Sequence, residues 1–432
     1  MSAAEPASPV PHLTTALSGV PAGIEARLLE AQVPIERWLR SQWLETPAPF
    51  YASVDLRNAG FKIAPVDTNL FPAGFNNLNP AFGPLCVQAV QTAVERVCPR
   101  SCDVLLIPEN HTRNQFYLEN VAALRSILER AGFAVRLGSL RADLEAPETL
   151  ELDSGARLML EPVRRHGNRV GLDDFDPCFV LLNNDLSRGD PDLLRGIEQT
   201  VLPPLSIGWS RRKKSDHFRH YRAVAAELAE LIGLDPWLLD PLFRQCGEVD
   251  FMKREGEACL VSNLEALLAS IRTKYDEYGI ERDPFVIIKA DAGSYGMGVM
   301  TARSVEDVRQ LNRKERTRMA KTKEGRAVTE VIMQEGVYTF ESWGEANNVA
   351  EPVVYMIDHY VVGGFYRVHT ERGPDENLNA PGMHFEPLAF ADPGNAPDPA
   401  ARPDAGPNRF YAYGVIARLA LLAAAREIAE DA

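Results

Sequence analysis

The chain has 432 residues, 45% of them hydrophobic and 25% charged, with 46 Lys plus Arg against 60 Asp plus Glu for a net charge of -14. Two or three packed domains are expected at that length. The negative balance argues against nucleic acid as the main partner, because binding a polyanion needs a positive field. No apolar run approaches the roughly 18–20 residues that span a bilayer, and the opening MSAAEPASPV has neither the basic region nor the apolar core of a secretion signal. The sequence therefore points to a cytoplasmic protein with no membrane partner.

Residues 1–22 are rich in Ala, Ser and Pro and are expected to be mobile. Apolar residues recur at helical spacing over 23–44, at Ile24, Leu28, Leu29, Val33, Ile35 and Leu39. The stretch 51–80 is dense in Asn, Asp, Gly and Pro and reads as strand and ordered loop. Helix is expected over 85–97 and 114–131. Strands are expected over 104–108, 134–137 and 178–183, with two edge strands near 147–163. Short apolar runs separated by helices predict parallel strands in α/β layers. The loops 109–113, 184–187 and 67–79 each follow a strand. They would fall in the crevice beyond the strand C-termini, the usual ligand site of open α/β sheets.

Helices are expected over 215–231 and 264–278, with Gly279 as a stop. A strand then runs into glycines over 285–300, followed by a helix over 305–311. The segment 312–326 is strongly basic but lacks interleaved aromatics, which suits a solvated helix face. A strand over 331–334 and a hairpin of 352–357 with 360–368 around Asp358-His359 come next. The region 392–408 reads as loop, and 413–428 as a terminal amphipathic helix carrying Arg418 and Arg426. The six cysteines, at 86, 98, 102, 178, 246 and 259, offer one close pair and no second to complete a zinc site. Scattered buried thiols are expected, since cytosolic disulfides are unusual.

The most informative segment places Lys289 at the end of a strand, followed by Asp291-Ala292-Gly293-Ser294-Tyr295-Gly296-Met297-Gly298. Three glycines let backbone N–H groups close over phosphate oxygens, and the lysine adds positive charge. No Gly-Lys-Ser/Thr ends the loop, so it is not a Walker A motif, and its G-x-x-G-x-G spacing is the reverse of the dinucleotide fingerprint. A plain glycine hairpin is the alternative. Further on come a strand ending in Gln334-Glu335, suited to hydrogen-bond an adenine edge, then Arg367, then Glu376-Asn377-Leu378-Asn379.

Strand lysine, glycine flap, hinge, arginine and Asn loop, in that order, resemble the layout of ATP-grasp ligases. Longer strings are similar to the proteobacterial glutamate–cysteine ligase family with ATP-grasp-like architecture. They are Y-A-S-V-D-L-R-N-A-G-F-K, A-P-V-D-T-N-L-F-P-A-G-F-N-N-L-N-P, L-L-I-P-E-N-H-T-R-N, L-L-N-N-D-L-S, K-A-D-A-G-S-Y-G-M-G and E-N-L-N-A-P-G-M-H-F, together spanning about residues 45 to 420.

The resemblance implies an α/β (α+β) chain. After a flexible 1–22, an N-terminal open α/β substrate domain would span 23–205. Two ATP-grasp subdomains, 206–335 with the glycine flap and 336–432, would follow. It further implies ATP-dependent ligation of the L-glutamate γ-carboxylate to the L-cysteine amino group through a γ-glutamyl phosphate, with ATP and Mg²⁺. Lys289 and Arg367 would be catalytic. Lys289, Gly293, Ser294, Tyr295, Gly296, Gly298, Gln334, Glu335 and Lys214 would hold the nucleotide. Arg57, Asp67, Asn69, Asn76, Asn77, Asn110, Arg113 and Asn377 are candidates for the amino acids, because guanidinium binds carboxylate bidentately and loop asparagines otherwise brace loops. Glu376, Asn379, Asp358 and Glu386 are candidate Mg²⁺ ligands, although the family's Glu-x-Asn pattern has no clean counterpart after Gly382. Glutathione synthetase, another amino-acid ligase of the same layout, or a silent nucleotide-binding module remain as alternatives. Oligomeric state stays open, a homo-oligomer included.

Overall fold

The structure, a computed structural model, describes residues 14–15, 20–99, 103–110, 113–293, 298–321, 325, 327–344, 346–387 and 409–430. The expected loop at 392–408, most of the mobile N-terminus, and Ser294, Tyr295 and Gly296 of the glycine flap lie outside the described residues. The mixed α/β architecture is present, arranged as three main sheets around one cleft.

The first sheet is the open parallel one. Thr200–Leu202, Phe179–Asn183, Asp103–Pro108, Ala134–Ser139 and Arg157–Pro162 run parallel in that order, and Glu148–Glu151 closes one edge antiparallel. Phe179–Asn183 is buried along its whole length, which explains a strand with no alternating pattern. Helices Gly83–Val97 and Gln115–Arg130 pack on this sheet's core through Ala89, Val90, Val121 and Leu124. The Asn114 side chain caps the second helix by accepting from the Tyr117 N–H.

The second sheet is antiparallel and carries the lysine strand. Its order is Phe243–Cys246, Val331–Glu335, Val286–Ala290, Val299–Ala302. Helix Glu257–Glu277 contributes Leu260, Leu264 and Leu267 to the same core.

The third sheet centres on the expected hairpin, Asn348–Ile357 with Tyr360–His369, flanked by Met383–Pro387. Its other edge is taken by Tyr51–Asn58, with Ile63–Asn69 beyond. Strands from the start of the chain are thereby hydrogen-bonded to strands near its end.

Two sequence expectations change. The terminal helix Arg409–Glu430 is not an amphipathic surface helix: from Tyr411 to Ala425 every position but Arg418 is buried. A helix apolar all round belongs in a core, and this one packs on helices Lys214–Ile232 and Val20–Glu30 and on strands Tyr51–Asn58 and Ile63–Asn69 of the third sheet. The cysteines are not scattered thiols. Cys98 pairs with Cys178 and Cys246 with Cys259, each with Cα atoms 6.4 Å apart, because the fold closes sequence gaps of 80 and 13 residues that spacing alone could not relate. Cys86 stays reduced and buried, and burial pushes its thiol up to about 11. Among the described residues no helix is long and apolar enough to cross a membrane.

Candidate functional site

A cleft of about 460 Å³ opens between the second and third sheets, against the C-terminal ends of the parallel strands. Strand alternation decides which side chains face it. On the lysine strand these are Ile287 and Lys289; opposite them stand Gln334 and Val299. On the third sheet they are Ser53, Asp55 and Arg57, Glu351, Val353 and Tyr355, Phe365 and Arg367, and Met383 and Phe385.

The lysine side is tied together at the base of the flap. Asp291 accepts from the Ser215 N–H and hydroxyl and from Gln245 Nε2, at 2.8, 2.6 and 2.9 Å. This holds the N-terminus of helix Lys214–Ile232 against the flap and places a carboxylate where the helix dipole favours it. Lys214 Nζ donates to the Gly293 carbonyl at 2.6 Å and lies 4.3 Å over the Trp209 ring. Gly293 has φ 96°, a left-handed conformation that suits glycine. Lys289 Nζ donates to the Val66 carbonyl at 2.8 Å. Burial pushes Lys214 down to about 8, with Asp67 opposing, and lowers Lys289 in the same way. Burial alone would raise the Asp67 carboxyl, yet Lys289, Lys214 and Arg212 outweigh it and hold it below the usual carboxylate range.

The floor of the cleft is a charged lattice. Arg367 Nη1 donates to Asp55 Oδ2 at 2.8 Å and to Glu351 Oε1 at 2.5 Å. Glu351 also accepts from Arg57 Nε at 2.8 Å. Burial raises the Asp55 carboxyl despite Arg367, whereas the two arginines bring Glu351 below its ordinary value against its burial. Two buried donors that line the cleft, Arg367 Nε and Gln334 Nε2, have no hydrogen-bond partner among the described residues. Buried donors are rarely left so, and both belong to side chains that line the cleft.

The far wall comes from the parallel sheet. Asn183, at a strand end, accepts from the Tyr117 hydroxyl and Asn120 Nδ2 and donates to the Pro72 carbonyl. Asn120 Oδ1 in turn accepts from the Gly74 and Phe75 N–H groups. The loop bearing Asn76 and Asn77 is thus hung on two asparagines of the α/β layer. Glu109 and Asp185 follow strand ends in the same wall, Glu109 accepting from the Asp185 N–H at 2.7 Å.

Of the sequence candidates, Lys214, Lys289, Gly293, Gln334, Glu335, Arg57, Asp67, Asn69, Asn76, Asn77, Arg367, Glu376, Asn377 and Asn379 all line this cleft. Several are already engaged. The Glu335 carboxylate accepts from Lys62 Nζ at 2.8 Å, from Trp237 Nε1 and from the Leu242 N–H. Arg57 Nη1 and Nη2 donate to the carbonyls of Val337, Pro374 and Glu376, bracing that loop. Asn69 closes a turn with Phe71, and Glu376 holds Arg372 and the Gly373 N–H. Gly298 (φ 71°) directly precedes the return strand Val299–Ala302.

Four candidates fall elsewhere. Asn110 and Arg113 are exposed and do not line the cleft. Asp358 occupies the hairpin turn at φ 51° and pairs with His359 and Arg96, so it cannot serve as a metal ligand at the cleft. Glu386 alternates with the cleft-lining Met383 and Phe385 onto the opposite face, 3.6 Å from His384. Among the described residues no three His, Cys, Asp or Glu side chains converge as a metal cluster.

Asp55 and Glu351 escaped sequence reasoning. Asp55 had a usable signal, since it lies two residues before Arg57 and therefore on the same strand face; Glu351 had none.

With this geometry in view, comparison with known proteins is direct. The glutamate–cysteine ligase family model matches residues 25–428. A crystal structure from Methylobacillus flagellatus, described provisionally as a gamma-glutamylcysteine synthetase, is 62% identical, covers 98% of this chain and 99% of its own, and superposes with a TM-score of 0.89. A D-alanyl-alanine synthetase A from Vibrio cholerae (10% identity, 63% of this chain and 68% of its own, TM-score 0.27) and a glutathione synthetase-like effector from Globodera pallida (10%, 81% and 78%, 0.34) align too weakly to bear on the fold. No curated protein sequence matches the chain.

Proposed function

Because this chain belongs to the glutamate–cysteine ligase family, we propose that its cleft joins the two amino acids by an ATP-driven route through a γ-glutamyl phosphate. The observation that carries this reading is the one cleft lined together by Lys214, Lys289, Gln334 and Arg367, the last two each keeping a buried donor without a partner among the described residues.

A carboxylate and an ammonium do not condense unaided in water. A γ-carboxylate oxygen of glutamate attacks the γ-phosphorus of ATP, the bond to the β–γ bridging oxygen breaks, and ADP leaves. The cysteine nitrogen, having lost one proton to solvent, adds to the acyl carbon and gives up a second, and the tetrahedral adduct expels phosphate. Little covalent work falls to the protein, which aligns oxygens, neutralises charge and excludes water. Lys214 and Lys289 meet the phosphates beneath the flap, and Gln334 faces the base. Arg367, fixed by Asp55 and Glu351, presents its remaining N–H groups to the transferring phosphoryl and then to the oxyanion. The asparagine wall suits the charged α-groups of glutamate.

Mg²⁺ is expected with the nucleotide. It is bound through one or two carboxylates plus substrate phosphates rather than in an all-protein cage. Asp55 and Asp67, register partners on adjacent strands and both lining the cleft, fit that requirement and would hold it. When bound it would offset phosphate charge. The net charge of -14, which lacks the positive field a polyanion needs, supports small-molecule substrates.

The test is ADP release by the purified protein with Mg²⁺-ATP and glutamate, with and without cysteine, and mass spectrometry of the product. ADP formation that needs both amino acids and yields γ-glutamylcysteine supports the reading. ADP release only with γ-glutamylcysteine plus glycine transfers it to glutathione synthesis, and ATP binding without turnover sinks it.

A further inference from the structure

The sheet face that carries Arg367 also has an apolar half. Phe385 is the register partner of Arg367 on the neighbouring strand, so their Cβ atoms stand about 5 Å apart. The Phe385 ring packs edge-on to Phe365, with centroids 4.8 Å apart, and Phe365 lies 5.4 Å from Tyr355. Phe365 and Tyr355 are buried and form the backing, while Phe385 and Met383 are half-buried and line the cleft.

The ligands can be sorted by chemistry against this wall. The phosphates belong with the lysines, and the base with Ile287, Val299 and Gln334 on the opposite sheet. Glutamate has no apolar end: its γ-carboxylate must reach Arg367, and both α-groups are charged. The amine acceptor has to bring its nitrogen within about 3–3.5 Å of the same acyl carbon. Its side chain is then the one uncharged, soft group placed beside Arg367.

We propose that Phe385, backed by Phe365 and flanked by Met383, is the subsite for the acceptor's side chain, and that it selects a small, unbranched, polarisable one. This rests on the ligase reading above. A thiol against an aromatic edge gains contact energy, whereas a hydroxyl pressed on this wall would lose its hydrogen bonds with water. Phe385 thereby determines specificity and takes no part in the bond-making steps.

The experiment compares wild type with Phe385→Ala and Phe385→Leu, varying cysteine and separately 2-aminobutyrate at saturating ATP and glutamate, then varying ATP and glutamate in turn. The KM for cysteine should rise about five- to tenfold in Phe385→Ala, that for 2-aminobutyrate should rise with it, and the KM values for glutamate and ATP should stay within twofold of wild type. Phe385→Leu keeps the strand apolar and removes only the ring, so it decides the matter if the alanine variant does not fold. A shift that falls on glutamate, or equally on all three substrates, overturns the subsite while leaving the ligase reading intact. A wild type that forms no γ-glutamyl product overturns the ligase reading, and the subsite with it.

Discussion

Arg367 and Asp55 meet at 2.8 Å although 312 residues separate them in the chain. Both lie on the third sheet, one strand apart across Asn348–Ile357, and the contact aims the guanidinium into the cleft. Arg367→Lys keeps the charge but loses the fork. We expect kcat to fall about 10²–10³-fold, the range for losing a donor to a developing oxyanion, with substrate KM values changed far less. Steady-state kinetics decides this, and a variant with near-normal kcat would remove Arg367 from the reaction.

In the proposed reading, Lys214 makes nucleotide binding pH-dependent. Its pKa is lowered by burial to about 8 in the free protein, so it is charged below that pH and loses its charge above it. Lys289 moves in the same direction. The KM for ATP should therefore rise as pH increases from 7 to 9, and Lys214→Arg, which stays charged, should flatten the rise. A pH-independent KM in the wild type would contradict this.

Glu335 is expected to matter for stability. Its carboxylate neutralises Lys62, which is wholly buried and lies 4.4 Å over the Trp237 ring. Glu335→Gln leaves that ammonium uncompensated, and removing one partner of a buried pair costs about 3–5 kcal/mol. Urea denaturation should show the loss, and the double variant with Lys62→Met should recover part of it. An unchanged midpoint together with a raised KM for ATP would instead favour a direct role in holding the base.

Gly74 sits where side chains do not fit. Its φ is 111°, and a Cβ there would lie 2.8 Å from the Tyr355 hydroxyl. Gly74→Ala should shift the loop of Asn76 and Asn77, cost about 1–3 kcal/mol and raise the KM for glutamate more than that for ATP. Thermal melting and substrate titration together test the two parts.

The local features of the site were readable from sequence, and the relational ones were not. Lys289 and its glycines form a continuous string whose chemistry needs no partner, and the hairpin expected around Asp358-His359 is the one the third sheet contains. Arg57 and Glu335 were recognised as residues of the site region, but their engagement with Glu351 and Lys62 depends on pairings across the fold. Asp358 had the right residue type for a metal ligand, yet it caps the turn between two long strands, remote from the cleft. The terminal helix looked amphipathic because its two arginines suggested a wet face; Arg418 and Arg426 are instead bonded to Glu36 and Glu227.

The interleaving of early and late strands has a consequence for biosynthesis. Arg57 leaves the ribosome well before its partner Glu351, 294 residues downstream. At 5–20 residues per second that interval is about 15–60 s. Throughout it, Tyr51–Asn58 presents an unpaired edge, and the core meant to receive Arg409–Glu430 stays open for longer still. The nascent chain exposes that edge until its own later strands arrive, so its yield in cells is expected to vary with chaperone supply and with the speed of translation.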